Sequence, residues 1–351
     1  MTRTEKIKDF NQDDLGDRSG NIYGLPFTIE ESGVVIIPVP WEVTVSYSAG
    51  TANGPQAVYD ASFQVDLYDP YIKDQWKTGI AMEAVPKKLK KKSDKLRKKA
   101  EAYISLLEKG RSPEKNKKMR SAQKLINAEC KELNKFIKGK CLHYLSKKKI
   151  IGLLGGDHST PLGLMQALAE KNDAFAILQI DAHADLRDAY EGFEFSHASI
   201  MFNALKIPQV KKLVQVGIRD HCHAESMIVK GSKGRVVSFY DRDIKQKQYN
   251  GSTWKNICRE IISKLPNKVY LSFDIDGLDP KLCPNTGTPV AGGFEFEQAL
   301  FLVQLLVESG RKIIAFDINE ISPGNDEWDA NVGARLLYRI AGLAARSHGK
   351  I

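Results

Sequence analysis

Seven short apolar runs, each closed by a turn or a polar cluster, constrain the fold of this chain more than any other feature. They are Val34 to Pro40 (VVIIPVP), Ile150 to Leu154 (IIGLL), Phe175 to Asp181 (FAILQID), Leu213 to Ile218 (LVQVGI), Val236 to Phe239 (VVSF), Val269 to Ile275 (VYLSFDI) and Ile313 to Ile318 (IIAFDI). Their hydrophobicity is continuous rather than alternating, as strands buried on both faces of a parallel sheet require. Helical patterns lie between several of them. One spans Pro161 to Glu170, with Ser159 or Thr160 as its N-cap and the proline in its first turn. This alternation predicts an α/β fold, a three-layer α/β/α sandwich with a mostly parallel central sheet. No linker rich in Pro, Gly or Ser divides the chain, and no repeat of about 20 to 50 residues is visible. The expectation is one domain over residues 34–351 after an N-terminal extension of residues 1–33.

The formal net charge of +9 invites a nucleic-acid or acidic-membrane partner, but its distribution argues otherwise. Residues 87–149 hold 23 Lys and Arg against 6 Asp and Glu, a local net of +17, which leaves the remainder at −8. Within this basic insert, Leu96, Ala100, Tyr103 and Leu107 recur at helical spacing, as do Ala122, Leu125, Leu133 and Phe136, with a polar break around Gly110 to Lys118. Two amphipathic helices with solvated lysine faces are expected. A nucleic-acid surface would also need interleaved aromatics or a recognised module, and neither is present. The five cysteines, at 130, 141, 222, 258 and 283, are odd in number and form no C-x-x-C pair. They fit neither a disulfide framework nor a thiolate zinc site, and suit a reducing, cytoplasmic compartment. No apolar signal core opens the chain and no apolar run nears the roughly 18 residues of a membrane span, so no membrane partner is expected.

Three polar clusters end three of the strands: Gly155-Gly156-Asp157-His158-Ser159, Asp181-Ala182-His183-Ala184-Asp185, and Ser272-Phe273-Asp274-Ile275-Asp276 followed by Gly277-Leu278-Asp279-Pro280. In an open α/β sheet, sites form at the carboxyl ends of strands, so segments far apart in sequence converge there. Alternation in extended backbone puts Asp181, His183 and Asp185 on one face, and Asp274 with Asp276. With His158 this makes two imidazoles and four carboxylates, a set that is costly to bury without a cation. Oxygen and nitrogen ligands without thiolate favour Mn²⁺, or another divalent ion such as Ni²⁺, Co²⁺ or Fe²⁺, over structural zinc. Six ligands exceed what one catalytic ion needs and divide naturally between two, which together activate water at neutral pH. His221-Cys222-His223 has no further ligand nearby in sequence and reads as a surface loop.

The three clusters resemble the signatures of the ureohydrolases, the family of arginase, agmatinase and formimidoylglutamase. The likeness runs from about Val34 to the C-terminus, because SAGTANGPQAV (48–58) is similar to the family's glycine-rich N-terminal motif and Asn319-Glu320-Ile321-Ser322-Pro323 to its final glutamate motif. Asn285 in PNTGTPVAGG, where a glycine is common, and the basic insert are departures; neither touches a proposed ligand. The resemblance implies a binuclear centre, usually Mn²⁺ with Ni²⁺ as the alternative, that hydrolyses a guanidinium group to urea and an amine. By position, His158, Asp181, Asp185 and Asp274 would bind one ion, and Asp181, His183, Asp274 and Asp276 the other. Asp185 would pass a proton to the leaving nitrogen, Glu320 would grip the guanidinium, and His197 matches the family's proton-shuttling histidine. Trimers or hexamers are the assemblies it implies.

The segment between Arg187 and His197 lies where this family chooses its substrate. Arginase-type chains carry Thr, Asn and Ser there; this one carries Tyr190, Glu191, Phe193, Glu194 and Phe195. That disfavours an amino-acid substrate and resembles agmatinase-type members, whose acidic and aromatic groups suit an ammonium tail. Agmatine, cleaved to putrescine and urea, is therefore the first expectation. Free guanidine or another short guanidino compound is the second, and gains if Trp41 or Trp328 lines the pocket. The rival from another class is a basic binding or scaffold protein built on residues 87–149.

Overall fold

The computed structural model describes residues 1–14 and 16–351. Eight strands, β1 (Val34–Val39), β2 (Ile80–Met82), β3 (Ile150–Gly155), β4 (Phe175–Ile180), β5 (Val210–Ile218), β6 (Val236–Tyr240), β7 (Lys268–Asp274) and β8 (Lys312–Asn319), form one sheet in the order β2-β1-β3-β8-β7-β4-β5-β6. Every pairing in it is parallel. The last strand thus lies at the centre, between β3 and β7. Successive strand residues feed two separate apolar layers. Val34, Ile36, Leu178 and Ile180 face one layer, which the helix Trp328–Ser347 helps to build. Val35, Ile37, Phe175 and Ile177 face the other, with the helices Lys117–Ser146 and Leu162–Ala169. Both faces of β1, β3 and β4 are covered throughout, which is why their sequences read as unbroken apolar runs.

All seven strands expected from the sequence are present. The eighth, β2, spans only three residues at the sheet edge and pairs with Val34 to Ile36. The chain joins the core upstream of residue 34: Ile22, Tyr23, Leu25 and Phe27 are buried, and the Tyr23 hydroxyl donates to the Ala334 carbonyl at 2.9 Å.

The basic segment forms the helices Lys87–Glu108 and Lys117–Ser146, joined around Gly110 to Asn116. In the first, Leu96, Ala100 and Tyr103 are buried as their spacing requires. In the second the apolar stripe is phased differently from the expectation. Met119, Ile126, Cys130, Leu133, Ile137, Cys141 and Tyr144 face the core, whereas Phe136 is 49% exposed. Two cysteines and a tyrosine complete this stripe, so counting only aliphatic residues and phenylalanine selects a neighbouring face. Lysines at the edges of these faces pair with carboxylates of neighbouring elements, as Lys138 does with Glu170 at 2.5 Å and Lys140 with Glu83 at 2.5 Å. The helix after β3 begins at Leu162 with Pro161 as N-cap, and neither expected hydroxyl caps it. Thr160 Oγ1 donates instead to Asn319 Oδ1 at 2.8 Å, and Ser159 Oγ to Asp157. The first bond ties the ends of β3 and β8 together, and the second closes the turn after β3. Among the described residues no helix is long and apolar enough to cross a membrane, and all five cysteines are free thiols.

Candidate metal centre

The three polar clusters meet at the carboxyl ends of β3, β4 and β7. His158 stands in the turn after β3, and its Nδ1 lies 3.0 Å from Asp181 Oδ2, 3.1 Å from Asp185 Oδ2 and 3.1 Å from Asp274 Oδ2. On the other side of Asp181, His183 Nδ1 lies 2.9 Å from Asp276 Oδ2 and 3.7 Å from Asp181 Oδ1. Two groups of side chains are therefore spaced to hold an ion: His158 with Asp181 and Asp185, and Asp181 with His183 and Asp276. They share Asp181. All but His183 are buried; His183 is 23% exposed on its side chain and borders the cavity.

The donor set is consistent with cations. His158 Nδ1 has no hydrogen-bonding partner although it is buried. Its Nε2 lies 3.0 Å from Ser272 Oγ, which donates to Asp317 Oδ1 at 3.1 Å. With the hydroxyl proton committed to Asp317, Nε2 carries the imidazole proton and the Nδ1 lone pair faces the carboxylates. In the absence of ions this cluster is electrostatically strained. Burial, reinforced by Asp181, pushes Asp185 up to about 7, and burial with Asp276 raises Asp274 well above the ordinary carboxylate range. Burial opposes charge on His158 and His183, but the surrounding carboxylates prevail and raise both. Burial likewise works against the Asp181 carboxylate, yet these two imidazoles hold its pKa below the ordinary value.

A chain of buried amides supports this cluster, and the sequence reading did not single it out. Gln179 Nε2 donates to Asp181 Oδ2 at 2.7 Å; Gln215 Nε2 donates to Gln179 Oε1 at 2.7 Å; Ser238 Oγ donates to Gln215 Oε1 at 2.7 Å. These residues sit on β4, β5 and β6. The signal was a glutamine inside each of two apolar strands, FAILQI and LVQVGI, where an unpaired amide would be costly.

Glu320 follows β8 in left-handed backbone, φ 64°, and Asp185 has φ 54°. Side chains larger than glycine rarely adopt this conformation, and its strain is tolerated where surrounding contacts fix the geometry. Glu320 Oε1 accepts the His158 backbone N–H at 2.8 Å, while the buried Oε2 has no protein partner. Burial and the nearby Asp157 raise its pKa well above the ordinary value. The Glu320 backbone N–H donates to Gly156 O at 2.8 Å, and a Cβ on Gly156 would lie 2.0 Å from the Trp41 carbonyl, so only glycine permits this crossing.

Glu320, His158, Asp185, Asp274 and Asp276 border one cavity of about 150 Å³, as do His183 and His197. Burial, with the neighbouring His183, holds His197 down to about 3. Its ring meets Tyr190 edge-on at 6.1 Å. The loop before it departs from the expectation of acidic groups facing the substrate. Tyr190 and Arg187 line the cavity, with the guanidinium 4.7 Å from the ring centre, but Glu194 is exposed and Glu191 is not part of the lining. An exposed carboxylate comes instead from Asp220, whereas Glu225 borders the cavity but is buried, with its oxygens accepting the Leu186 and Cys222 N–H groups at 2.9 and 2.8 Å. Neither tryptophan reaches the cavity. Trp41 is fully buried, and Trp328 is 46% exposed with its indole N–H on the Lys281 carbonyl at 2.9 Å. His221 is exposed and stacks on Tyr240 at 4.9 Å, bordering the cavity mouth.

A family model described as "Arginase family" matches residues 32–342. The chain is 29% identical over 322 residues to N(1)-aminopropylagmatine ureohydrolase of Thermus thermophilus, covering 91% of this chain and 93% of that protein. It is 27% identical over 305 residues to an agmatinase of Bacillus cereus, covering 86% and 88%. The agmatine ureohydrolase of Thermoplasma volcanium superposes with a TM-score of 0.70 at 21% identity, covering 99% of both chains.

Proposed function

Because this chain belongs to the arginase family, we propose that its cavity binds an agmatine-type cation and releases urea from the guanidino end. The observation that carries this reading is one cavity bordered by His158, Asp185 and Asp274 of the convergent set and by Glu320, whose Oε2 is unpartnered. In it, His158, Asp181, Asp185 and Asp274 would hold one divalent ion, and Asp181, His183, Asp274 and Asp276 the other, Mn²⁺ first and Ni²⁺ as the alternative. Bound there, such ions would supply Lewis acidity and make hydroxide available at neutral pH. Glu320 Oε2 accepts an N–H of the guanidinium and fixes the plane of its carbon. Asp185 carries a proton toward the departing amine. His197 borders the same cavity as a neutral imidazole, and its part is to pass protons on while bound charge offsets the burial that disfavours its cation.

The relatives named for agmatine and aminopropylagmatine support a linear alkylamine tail, and Asp220 at the mouth supplies a carboxylate for it. Free guanidine loses the support that a tryptophan-lined pocket would have given. The same reading carries a cytoplasmic homo-oligomer, a trimer or hexamer, with no nucleic-acid partner. The test is urea release by Mn²⁺- and Ni²⁺-loaded protein from agmatine, N1-aminopropylagmatine, guanidine, 4-guanidinobutyrate, 3-guanidinopropionate and arginine. The two agmatines should react fastest; no urea from any of the six would end the hydrolase reading.

A further inference from the structure

Both loops that wall the cavity beside His197 rest on the lysine-rich helices, through neutral groups and one buried arginine rather than through lysines. On Lys87–Glu108, Ser93 Oγ accepts the Glu42 backbone N–H at 3.0 Å, and the buried Arg97 donates to the Val45 carbonyl, next to Ser46 in the cavity wall. On Lys117–Ser146, Gln123 Nε2 and Asn127 Nδ2 both donate to the Gly192 carbonyl, at 2.9 and 3.2 Å, and Asn127 Oδ1 accepts the Glu194 N–H at 2.9 Å. The Tyr103 ring lies 5.1 Å from that of Phe193. Tyr190 and Phe193 exchange backbone hydrogen bonds of 3.3 and 2.8 Å, so residues 190–193 form one closed turn. Gly192 has φ 82°, and a Cβ there would fall 2.1 Å from Gln123 Nε2. The turn and the helix are in direct contact, and Tyr190 projects from this turn into the cavity.

We propose that residues 87–149 are a brace for substrate discrimination, in which Gln123 and Asn127 are positioning residues that fix Tyr190 in the cavity wall without touching substrate. The inference rests on the guanidino-hydrolase reading for its kinetic consequence, but the mechanical coupling stands apart from it. The solvated lysines then keep the outer surface wet while the inner polar groups set the loop.

The test compares the full-length, metal-loaded protein with Gln123→Ala/Asn127→Ala by hydrogen exchange over residues 188–196 and by urea kinetics with agmatine and guanidine. Exchange of the loop amides should accelerate about tenfold or more. KM for agmatine should rise about five- to tenfold with kcat and metal content within about twofold, so that preference over guanidine narrows. Asn127→Asp, which keeps the acceptor for the Glu194 N–H but sets a carboxylate oxygen against the Gly192 carbonyl, should lose protection at Gly192 and Phe193 more than at Glu194, and Lys131→Ala on the outer face should change nothing. Unaltered loop exchange in the folded double variant overturns the proposal, as does a loss of activity that follows metal loss. Should the double variant not fold, Gly192→Ala pushes the turn off Gln123 from the opposite side and must give the same exchange and KM signature. If the parent protein releases no urea, the functional reading fails, and loop exchange alone decides the brace.

Discussion

Replacing Glu320 by glutamine tests the substrate grip with little change of shape. Oε1 is committed to the His158 N–H at 2.8 Å, and glutamine's carbonyl oxygen can keep that bond. What is lost is the charge that a bound guanidinium draws onto Oε2, the oxygen without a protein partner, against the burial that disfavours it; an amide there would aim its own N–H groups at the guanidinium. Full Coulomb attraction at about 4 Å and an effective dielectric of about 20 is about 4 kcal/mol, which sets the upper bound. One charge-assisted hydrogen bond contributes about 1.5–3 kcal/mol net, so kcat/KM for agmatine should fall about 10- to 150-fold. The assay is urea release at saturating Mn²⁺, with bound metal measured on the same samples. A fall smaller than about threefold at full metal content refutes the grip. A larger fall that merely follows metal loss refutes it equally, because the carboxylate would then be acting on the centre rather than on the substrate.

Two further outcomes follow from the same geometry. Ser272→Ala removes the acceptor that fixes the His158 tautomer at 3.0 Å and should weaken metal affinity about 10- to 100-fold in chelator competition; unchanged affinity would sink the tautomer argument. Metal binding should release protons near neutral pH, because Asp185 titrates at about 7 and Asp274, His158 and His183 are raised in the ion-free cluster. The stability counterpart has a definite sign. Asp185, Asp157 and Asp317, raised to about 7, 6 and 6, stabilise the ion-free protein at low pH and lose that contribution as pH climbs through those values. His197, held near 3, works in the opposite direction below about 6.5. Calorimetry in buffers of different ionisation enthalpy should therefore show proton release at pH 6.5, and an enthalpy independent of buffer would contradict it.

What the sequence made legible is what local periodicity controls. Continuous apolar runs located seven strands, and the polar clusters that end three of them marked the side chains that meet; the two-residue period of extended backbone does not account for the meeting, because Asp185 is left-handed with φ 54° and Asp276 lies in the turn Ile275–Gly277. The misses share a different origin, in which the partner comes from distant chain. Thr160 reads as a helix cap until Asn319 is seen 2.8 Å away. Gln179, Gln215 and Ser238 are unremarkable singly and become a support only when β4, β5 and β6 stand side by side. Glu191 and Glu194 suggested a cation subsite by composition, but the loop's attachment to the helix Lys117–Ser146 leaves Tyr190 in the cavity instead. Phe136 shows the limit of periodicity itself: the spacing was helical, while cysteine and tyrosine decided which face was inside.

The central place of β8 has a consequence for how the molecule is made. Without it, the sheet is two separate pieces, β2-β1-β3 and β7-β4-β5-β6. His158 belongs to the first piece; Asp181, His183, Asp185, Asp274 and Asp276 all belong to the second. The strand that joins them, Lys312–Asn319, is the last to be synthesised and carries Glu320 immediately after it. Domains emerge from synthesis N-terminus first, and parallel pairings between distant segments form slowly. In a nascent chain that stops short of Lys312 the proposed ligands therefore stand on two sheet fragments with no strand between them, and capture of the proposed metal complement would be a late event that reports completion of the sheet.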